Sequence, residues 1–186
     1  MTYFTIFDSP IGQLLLTSDG ASITRLFMED YEGGPTASSD FLGTNGHARF
    51  GSLPHADWQD GAALPMIRKA KDQIDEFFAG NRHDFDLPLK PEGTEFQRTV
   101  WDELTRIPFG KTISYGELAR RIGKREASRA VGLANGRNPI SIIVPCHRVI
   151  GASGRLTGYG GGIDRKEWLL GHEATVLGNR QPELAL

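Results

Sequence analysis

Cysteine is almost absent from this sequence of 186 residues, which contains a single one, Cys146. One thiol cannot form an internal disulfide, and it cannot supply a zinc site that needs several cysteines. Long apolar runs are absent as well, since no stretch approaches the ~20 residues of a membrane-spanning helix. The first residues lack the basic flank and apolar run of a signal peptide, so we expect a cytoplasmic protein.

An excess of charge is also lacking, because 21 basic residues face 23 acidic ones and the formal net charge is −2. This composition is typical of a soluble globular protein and excludes a disordered, collagen-like or coiled-coil chain. The balance conceals an asymmetry: residues 1–90 contain seven basic and thirteen acidic residues, and residues 91–186 contain fourteen and ten. Between 111 and 155, nine basic residues face only Glu117 and Glu126. That excess indicates either a surface for a polyanion or a solvated basic helix.

Residues 1–90 are predicted to form an amino-terminal α/β domain. Apolar and polar residues alternate over 3–7, and apolar residues dominate 14–16 and 23–28, which predicts three strands of one small antiparallel sheet. Over 65–79 the apolar residues recur at helical spacing, with proline at the start and glycine just past the end. This segment is therefore predicted to be a helix.

Two segments of this part of the chain have no clear periodicity. Gly, Ser, Thr, Asp, Asn and Pro dominate residues 31–61, which predicts a long loop. Residues 81–93 contain two prolines and are predicted to link the first domain to a second one. We place that carboxy-terminal domain at 91–175 and a tail at 176–186.

Three helix starts in the second domain have a capping-box pattern, in which an oxygen-bearing N-cap is followed three residues later by Glu or Gln. The N-cap residues are Thr94, Ser114 and Asp164. After the second start, two short basic helices, one ending at Ile122 and one over about 125–134, are joined by a turn with glycine. This pair is typical of a helix-turn-helix, which is also common in proteins that do not bind DNA.

The second helix of this pair has small side chains on one predicted face, Ala127, Ala130 and Ala134. Gly132 lies nearby, and Val131 and Leu133 remain available for packing. A flat face can approach either another helix or a nucleic-acid groove. Arg129 projects from the same helix, and its positive charge makes binding in a nucleic-acid groove a serious alternative to packing against another helix.

Residues 140–144 form an apolar, β-branched run that is predicted to be a buried strand ending at Pro145, because proline cannot donate to a ladder. Cys146 then lies at the strand end, either as a small buried hydrophobe or as a nucleophile. His147 and Arg148 follow it directly. Cationic neighbours are expected to lower the pKa of the thiol and to raise its thiolate fraction.

Residues 151–162 form a glycine-rich loop with one aromatic residue, Tyr159. The loop matches no nucleotide-phosphate motif, so we expect a flexible wall around a planar ligand. Glu173 lies at the end of the helix that follows. Its carboxylate either orients a histidine or lies on the surface.

The segment Pro-Cys-His-Arg-Val at 145–149 resembles the active-site motif of the O6-alkylguanine-DNA alkyltransferase family. Other segments that resemble this family lie at 107–119, 129–132, 138–139 and 166–173. The resemblance is dense from about 96 to 173 and thinner over 8–12. Several ordered motifs at matching spacing identify the sequence as a member of this family.

The resemblance implies an α+β fold with two domains. The first is a ribonuclease H-like domain with an antiparallel sheet and a helix, and the second is mostly helical, with the helix-turn-helix and the active-site cysteine. It also implies a single, irreversible transfer of the alkyl group from O6-alkylguanine, and from O4-alkylthymine, in duplex DNA to Cys146 after nucleotide flipping. The implied partner is double-stranded DNA containing O6-alkylguanine, with no cofactor, metal, membrane or obligatory protein partner.

The resemblance assigns four residues to the chemistry. Cys146 is the nucleophile and alkyl acceptor, and His147 is the base that acts through a water. Glu173 holds His147 in the correct tautomer, as in other activated nucleophiles. Asn138 ties the helix-turn-helix to the Cys146 loop.

The resemblance also assigns residues to DNA and to the flipped guanine. Arg129 is the finger that fills the space of the flipped nucleotide, and the other DNA-binding residues are Tyr115, Ala127, Ser128, Ala130 and Gly132. The guanine pocket is lined by Tyr115, Val149, Tyr159 and Gly160. Some family members carry serine where this chain has Gly160, so we expect a tolerance of bulkier alkyl groups here.

Three other functions remain open at this point. An alkyltransferase-like sensor only binds lesions and replaces the cysteine, so Cys146 favours transfer. A Cys-His hydrolase uses the same activated thiol over many turnovers. A helix-turn-helix repressor needs no reactive thiol and binds undamaged DNA at one sequence.

Overall fold

A computed structural model describes residues 1–28 and 57–178. The chain divides into two compact units, Met1–Glu92 with Pro139–Ile143, and Gly93–Asn138 with Val144–Leu186. The predicted loop at 31–61 lies outside the described residues except for 57–61, and so does the predicted tail after residue 178. None of the helices in the described ranges is long and apolar enough to cross a membrane.

The first unit contains a four-stranded sheet in the order β3-β2-β1-β4. The three predicted strands are confirmed as β1 (Tyr3–Ser9), β2 (Gly12–Ser18) and β3 (Ile23–Met28), and they pair antiparallel. The fourth strand, β4 (Gln59–Asp60), was not predicted and pairs parallel to β1, which makes the sheet mixed. A strand of two residues leaves no periodic pattern in a sequence.

The core of this unit lies on the central strand β2. Leu14, Leu15 and Leu16 are all fully buried, so both faces of this strand are covered. The predicted helix is confirmed as α1 (Pro65–Phe78), with proline in its first turn, where the missing N–H costs no hydrogen bond. Its buried face packs against all three long strands.

The boundary between the two units falls after Glu92, within the predicted linker over 81–93, but this segment is not a free connection, because residues 88–90 are bonded to the start of β3. The Ile23 N–H donates to the Pro88 carbonyl at 2.8 Å, and the Lys90 N–H donates to the Ile23 carbonyl at 2.9 Å. Ion pairs of Lys90 with Asp19 and of Arg25 with Glu92 lie along the same edge. Prolines without neighbouring hydrophobic periodicity indicated a linker, but proline is also compatible with an edge of a sheet.

The predicted strand over 140–144 is also wrong, although the segment is buried as expected. Ile140 forms a single bridge to Leu26, and residues 141–143 then turn. Ile142 is fully buried with φ 71°, and the Ile143 N–H donates to the Ser141 carbonyl. A short apolar run indicates that a segment is buried but does not show that it is a strand. Here the left-handed backbone of Ile142 ends the extended conformation before strand hydrogen bonds can form.

The second unit is mostly helical. Its helices are α2 (Glu95–Leu104), α3 (Tyr115–Arg121), α4 (Ser128–Gly136) and α5 (Ile163–Val176). Two short strands, β5 (Ile113–Ser114) and β6 (Val149–Ile150), pair parallel. The predicted helix pair is confirmed as α3 and α4, with a 3-10 helix at Arg125–Ala127 between them.

The three predicted capping boxes have different outcomes. Thr94 forms the complete box with Gln97 at the start of α2. The Ser114 hydroxyl accepts the Glu117 N–H at the start of α3. The third prediction is wrong, because α5 begins one residue before Asp164 and its N-cap is a glycine at φ 96°. Asp164 instead adds a negative charge to the first turn, which the helix dipole favours.

The prediction that Ala127, Ala130 and Ala134 share one face of α4 is wrong for Ala134, which points into the protein. Ala134 is buried, and its carbonyl accepts the Trp101 indole N–H at 2.8 Å, whereas Ala130 is exposed. Leu133, expected to pack, is 60% exposed. The inward packing of Val131 and Ala134 fixes the rotation of the helix, so Arg129 and Ala130 face outward beside Leu133.

We expect Thr94→Ala to lower the free energy of unfolding by about 1 kcal/mol, because it leaves the Gln97 N–H in the first turn of α2 without its cap. Urea unfolding at neutral pH measures this change. Thr99→Ala is the matched control, since Thr99 lies on the exposed side of the same helix and donates only to the Glu95 carbonyl. An equal loss in both variants would show that the cap is not responsible.

Candidate active site and DNA-binding surface

The cysteine lies in a tight turn that directly precedes the strand β6. Cys146–Arg148 form a 3-10 helix in which the Cys146 N–H donates to the Val144 carbonyl at 2.8 Å and the Arg148 N–H donates to the Pro145 carbonyl at 3.0 Å. Cys146, His147 and Arg148 are all buried. The turn replaces the extended strand end of the prediction, so consecutive side chains do not alternate between two faces.

Two asparagine side chains fasten this turn to the end of α4. Asn138 donates from Nδ2 to the Val144 carbonyl at 2.8 Å, and Asn135 donates from Nδ2 to the Cys146 carbonyl at 3.4 Å. Both side chains are buried, and the two residues are three positions apart at the helix end. The sequence predicted a role for Asn138 but not for Asn135. Asn135 precedes Gly136, and the pair was interpreted only as the signal that ends the helix.

A buried carboxylate organises the residues around the cysteine. Glu173 Oε1 accepts from His147 Nε2 at 2.8 Å and from Arg148 Nη2 at 2.9 Å, and Oε2 accepts the Gly110 N–H at 2.7 Å. Arg148 also donates from Nη1 to the Ile107 carbonyl at 2.6 Å. Glu173 is fully buried, which excludes the alternative that its carboxylate lies on the surface.

The protonation states of this group follow from burial and charge. Burial by itself raises the pKa of Glu173, but the hydrogen bonds and charges of His147 and Arg148 outweigh it and hold the pKa at about 2. Burial lowers the pKa of the His147 imidazole, and Glu173 opposes that shift. A neutral imidazole beside a carboxylate carries its proton on Nε2 and its lone pair on Nδ1. Nδ1 is buried and has no hydrogen-bond partner within residues 1–28 and 57–178.

The cationic neighbours do not lower the pKa of the thiol as the sequence predicted. Burial raises the pKa of Cys146 above its ordinary value, while a hydrogen bond from Asn138 and the charge of Lys166 act in the opposite direction. Arg148 is paired with Glu173, and His147 is neutral, so neither supplies the expected charge. The resting thiol is therefore protonated, and its reaction needs a base.

Lys166 is a member of this site that sequence reasoning did not select. It is fully buried on α5, and its ammonium donates to the Val149 carbonyl at 2.6 Å and to the Thr157 carbonyl at 3.1 Å. Burial lowers its pKa to about 8, while the charge of Cys146 opposes that shift. Lys166 shares the buried face of α5 with Leu169 and Glu173, at positions i, i+3 and i+7. This helical spacing is the feature of the sequence from which the burial of Lys166 could have been predicted.

The glycine-rich loop forms one wall beside the thiol. Tyr115, at the first position of α3, donates from its hydroxyl to the Thr157 carbonyl at 3.0 Å. A Cβ at Gly132 would lie 3.6 Å from the Tyr115 ring, so α4 lies in contact distance of this ring. The Tyr159 hydroxyl is buried, and Gly160 is exposed. The predicted pocket residue Val149 pairs with Ile113 in the short sheet.

The predicted DNA-binding residues of α4 lie on its outer face. Ser128, Arg129 and Ala130 are exposed, and Ala127 is half-buried. Arg129 has no ion pair with an acidic residue in the described parts of the chain.

The basic excess is partly neutralised within the protein. Arg120 and Arg121 both pair with Glu117, and Arg148 is buried on Glu173. Other basic residues of the segment are exposed, namely Lys111, Lys124, Arg125, Arg129, Arg137 and Arg155. This distribution favours a polyanion-facing surface over a uniformly solvated basic helix.

We expect Glu173→Gln to lower the free energy of unfolding at pH 7 by about 3–5 kcal/mol, because it leaves the Arg148 charge buried without its partner. The pKa of Glu173 is lowered in the folded state, so its stabilisation is complete above its ordinary value of 4.5 and is lost as the pH falls towards about 2. Urea unfolding between pH 7 and pH 3 should therefore show a weaker pH dependence in the variant.

Glu117→Gln is the control for this experiment, because the pKa of Glu117 is also lowered to about 2, by Arg120 and Arg121, but at the surface. Its loss should be much smaller, since solvent screens an exposed ion pair. Equal losses in the two variants would contradict a special role of the buried carboxylate.

Comparison with known proteins gives two family matches that together span nearly the whole chain. The DNA binding domain of 6-O-methylguanine DNA methyltransferase matches residues 95–175, and the ribonuclease-like domain of the same protein matches residues 2–91. The methylated-DNA–protein-cysteine methyltransferase of Methanosarcina acetivorans is 47% identical over 169 residues, which cover 90% of this chain and 96% of that protein. The protein of the same name from Mycobacterium tuberculosis is 48% identical over 170 residues, 91% of each chain.

Solved structures agree with these matches. The crystal structure of Mycobacterium tuberculosis OGT in complex with DNA is similar to this chain with a TM-score of 0.77 at 44% identity, and the match covers 94% of each chain. An O6-methylguanine-DNA methyltransferase from the archaeon Pyrococcus kodakaraensis shares the fold, with a TM-score of 0.54 at 23% identity. The two-domain α+β fold and the family resemblance predicted from the sequence are thus confirmed. The chain belongs to the 6-O-methylguanine DNA methyltransferase family, the O6-alkylguanine-DNA alkyltransferases.

Proposed function

We propose that this protein repairs DNA by transferring the alkyl group of O6-alkylguanine in duplex DNA directly and irreversibly to Cys146. The observation that carries the proposal is a buried thiol followed directly in the chain by a buried, neutral imidazole whose Nε2 is bonded to a buried carboxylate. Relatives named methylated-DNA–protein-cysteine methyltransferase, and an OGT solved with DNA, support the same activity.

The chemistry follows from the protonation states of the site. His147 accepts the thiol proton at Nδ1, directly or through one water, while Glu173 stabilises the imidazolium that forms. The Cys146 sulfur then forms a bond to the alkyl carbon as the bond from that carbon to O6 breaks. The electron pair of the broken bond stays on the guanine, which regains a proton at N1 and is restored. The thioether has no route back to a thiol, so each molecule reacts once.

The site also has to reach a carbon that is stacked inside the duplex, so the nucleotide must leave the stack. Arg129 is exposed on α4, and we assign to it the space that the flipped nucleotide vacates. Ser128 and Ala130 beside it are small enough to approach a groove that is ~6 Å wide. Tyr115 lies between this helix and the glycine-rich loop, where it can receive the flipped base.

Cys146 also separates this function from the alternatives. A sensor that only binds lesions needs no thiol, whereas here Cys146 lies in a turn whose backbone is held by two asparagines, and a histidine follows it in the chain. A hydrolase would regenerate its cysteine, whereas this reaction ends with a stable thioether. Gly160 has no side chain, and we assign to this position a tolerance of bulkier alkyl groups. The protein acts in the cytoplasm of its host.

We expect one molecule of protein, incubated with a duplex containing O6-methylguanine, to gain one methylene on the tryptic peptide between Arg137 and Arg148. Mass spectrometry of the digest measures this change. Cys146→Ala should gain nothing and should leave the lesion in place. An unmodified Cys146 with an intact lesion, or more than one equivalent repaired per molecule, would overturn the proposal.

We expect Arg129→Ala to slow the repair of duplex substrate by about 10²-fold, because flipping costs a few kcal/mol that the finger offsets. Its reaction with free O6-benzylguanine should stay unchanged, since a free base needs no flipping. Single-turnover rates on both substrates measure the difference.

Arg68→Ala is the matched control, because Arg68 is an exposed arginine on α1 in the other unit. It should leave both rates unchanged. If Arg129→Ala slows both substrates equally, the finger assignment is wrong.

A further inference from the structure

Ile142 has a backbone conformation that its own side chain disfavours. Its φ is 71°, and within residues 1–28 and 57–178 it is the one residue other than glycine with a positive φ. A side chain branched at Cβ clashes with the backbone in this left-handed region, so the conformation persists only where the surrounding structure holds it. Strained residues of this kind cluster at functional sites, and Ile142 precedes the active-site turn by four residues.

The strained residue lies at the centre of a γ-turn. The Ile143 N–H donates to the Ser141 carbonyl at 2.8 Å, across Ile142. A γ-turn whose central residue has a positive φ is the rare and strained form of this turn, and it reverses the chain within three residues. The sequence predicted a straight strand here, so the reversal needs a reason.

The path of the chain supplies that reason. Residues 139–143 belong to the first unit, whereas Asn138 before them and Val144 after them belong to the second. Asn138 Nδ2 donates to the Val144 carbonyl at 2.8 Å and so closes the excursion into a loop. Five extended residues would span about 16 Å, so the chain can return to Asn138 only by a sharp reversal.

The outward arm of this loop is fixed on β3. The Leu26 N–H donates to the Pro139 carbonyl at 2.9 Å, and the Ser141 N–H donates to the Leu26 carbonyl at 3.2 Å. The arm is therefore bonded through Ser141, and the reversal falls on Ile142. The side chain of Ile142 is fully buried, and this burial holds its backbone in the left-handed region.

The return arm ends on a carbonyl that organises the cysteine turn. The Val144 carbonyl accepts both the Asn138 amide and the Cys146 N–H, each at 2.8 Å. The second of these bonds closes another γ-turn, centred on Pro145, whose φ of −81° and ψ of 63° are those of the unstrained inverse form. The direction in which the chain leaves Ile142 therefore decides where the Val144 carbonyl points and where Cys146 follows.

We infer that Ile142 is a positioning residue for the nucleophile, because its left-handed backbone, held by its buried side chain, sets the place of the Cys146 sulfur. The inference rests on the proposed function and adds to it a residue that acts only through the backbone. Displacement at an alkyl carbon needs the sulfur in line with the bond that breaks. A misplacement of about 1 Å is enough to slow such a step about 10²-fold.

The test compares Ile142→Ala with Ile142→Gly. Alanine keeps the Cβ that disfavours a positive φ but loses the buried atoms that hold it, so the γ-turn should open. Glycine adopts a positive φ freely, so it should keep the turn although it leaves the larger cavity. At saturating duplex containing O6-methylguanine, the single-turnover rate should fall about 10²-fold with alanine and no more than about threefold with glycine.

Two further measurements separate positioning from packing. A residue that only fills the core would lose more with glycine than with alanine, because glycine removes more buried atoms. The affinity for undamaged duplex, measured by fluorescence anisotropy, should be unchanged in both variants, since the outer face of α4 is not altered. Ile74→Ala is the matched control, because it removes the same atoms from a fully buried isoleucine of α1 in the same unit. It should lower the thermal midpoint and keep the wild-type rate.

The inference is overturned if Ile142→Ala transfers the methyl group at the wild-type rate, or if Ile142→Gly loses as much as Ile142→Ala. Thermal midpoints establish that the compared molecules are folded. If the alanine variant does not fold, the glycine variant decides, and a loss of about 10²-fold in its rate would count against the inference. A wild-type protein that leaves O6-methylguanine intact would instead overturn the proposed function.

Discussion

The second unit is organised around one buried carboxylate. A charge in the protein interior is tolerated only when other groups neutralise it and satisfy its hydrogen bonds. Glu173 meets this requirement with the guanidinium of Arg148, the imidazole of His147 and the N–H of Gly110. These partners come from the cysteine turn and from the segment after α2. Removing the Glu173 carboxylate would therefore disturb both the packing of Arg148 and the tautomer of His147.

The pairing of this carboxylate also sets the state of the thiol. Arg148 neutralises Glu173, and burial of Cys146 outweighs the charge of Lys166, so the thiol stays protonated. A protonated thiol reacts slowly with electrophiles in general. His147 can remove the proton because burial keeps its imidazole neutral. The chemistry therefore depends on a base held in the correct tautomer, and not on a thiol that is permanently ionised.

Some features could be predicted because their physical causes are local. The box of Thr94 and Gln97 involves residues three apart, and the helix over 65–79 has its own apolar period and its own proline. The prediction of a strand over 140–144 was wrong because these apolar side chains are buried equally well by a turn. Lys166 was overlooked because a lysine in a helix is usually solvated, and only its neighbours in space show that it is buried.

The sequence by itself determined the order and type of most elements, the identity of the nucleophile and the family, because periodicity, caps and the Pro-Cys-His-Arg-Val motif are properties of adjacent residues. Tertiary structure decided which of these groups are charged. Arg148 lies two residues after Cys146 in the chain but is paired with Glu173, and Lys166 is fully buried although lysine is usually solvated. Pairing and burial depend on contacts between distant residues, and a pKa depends on both.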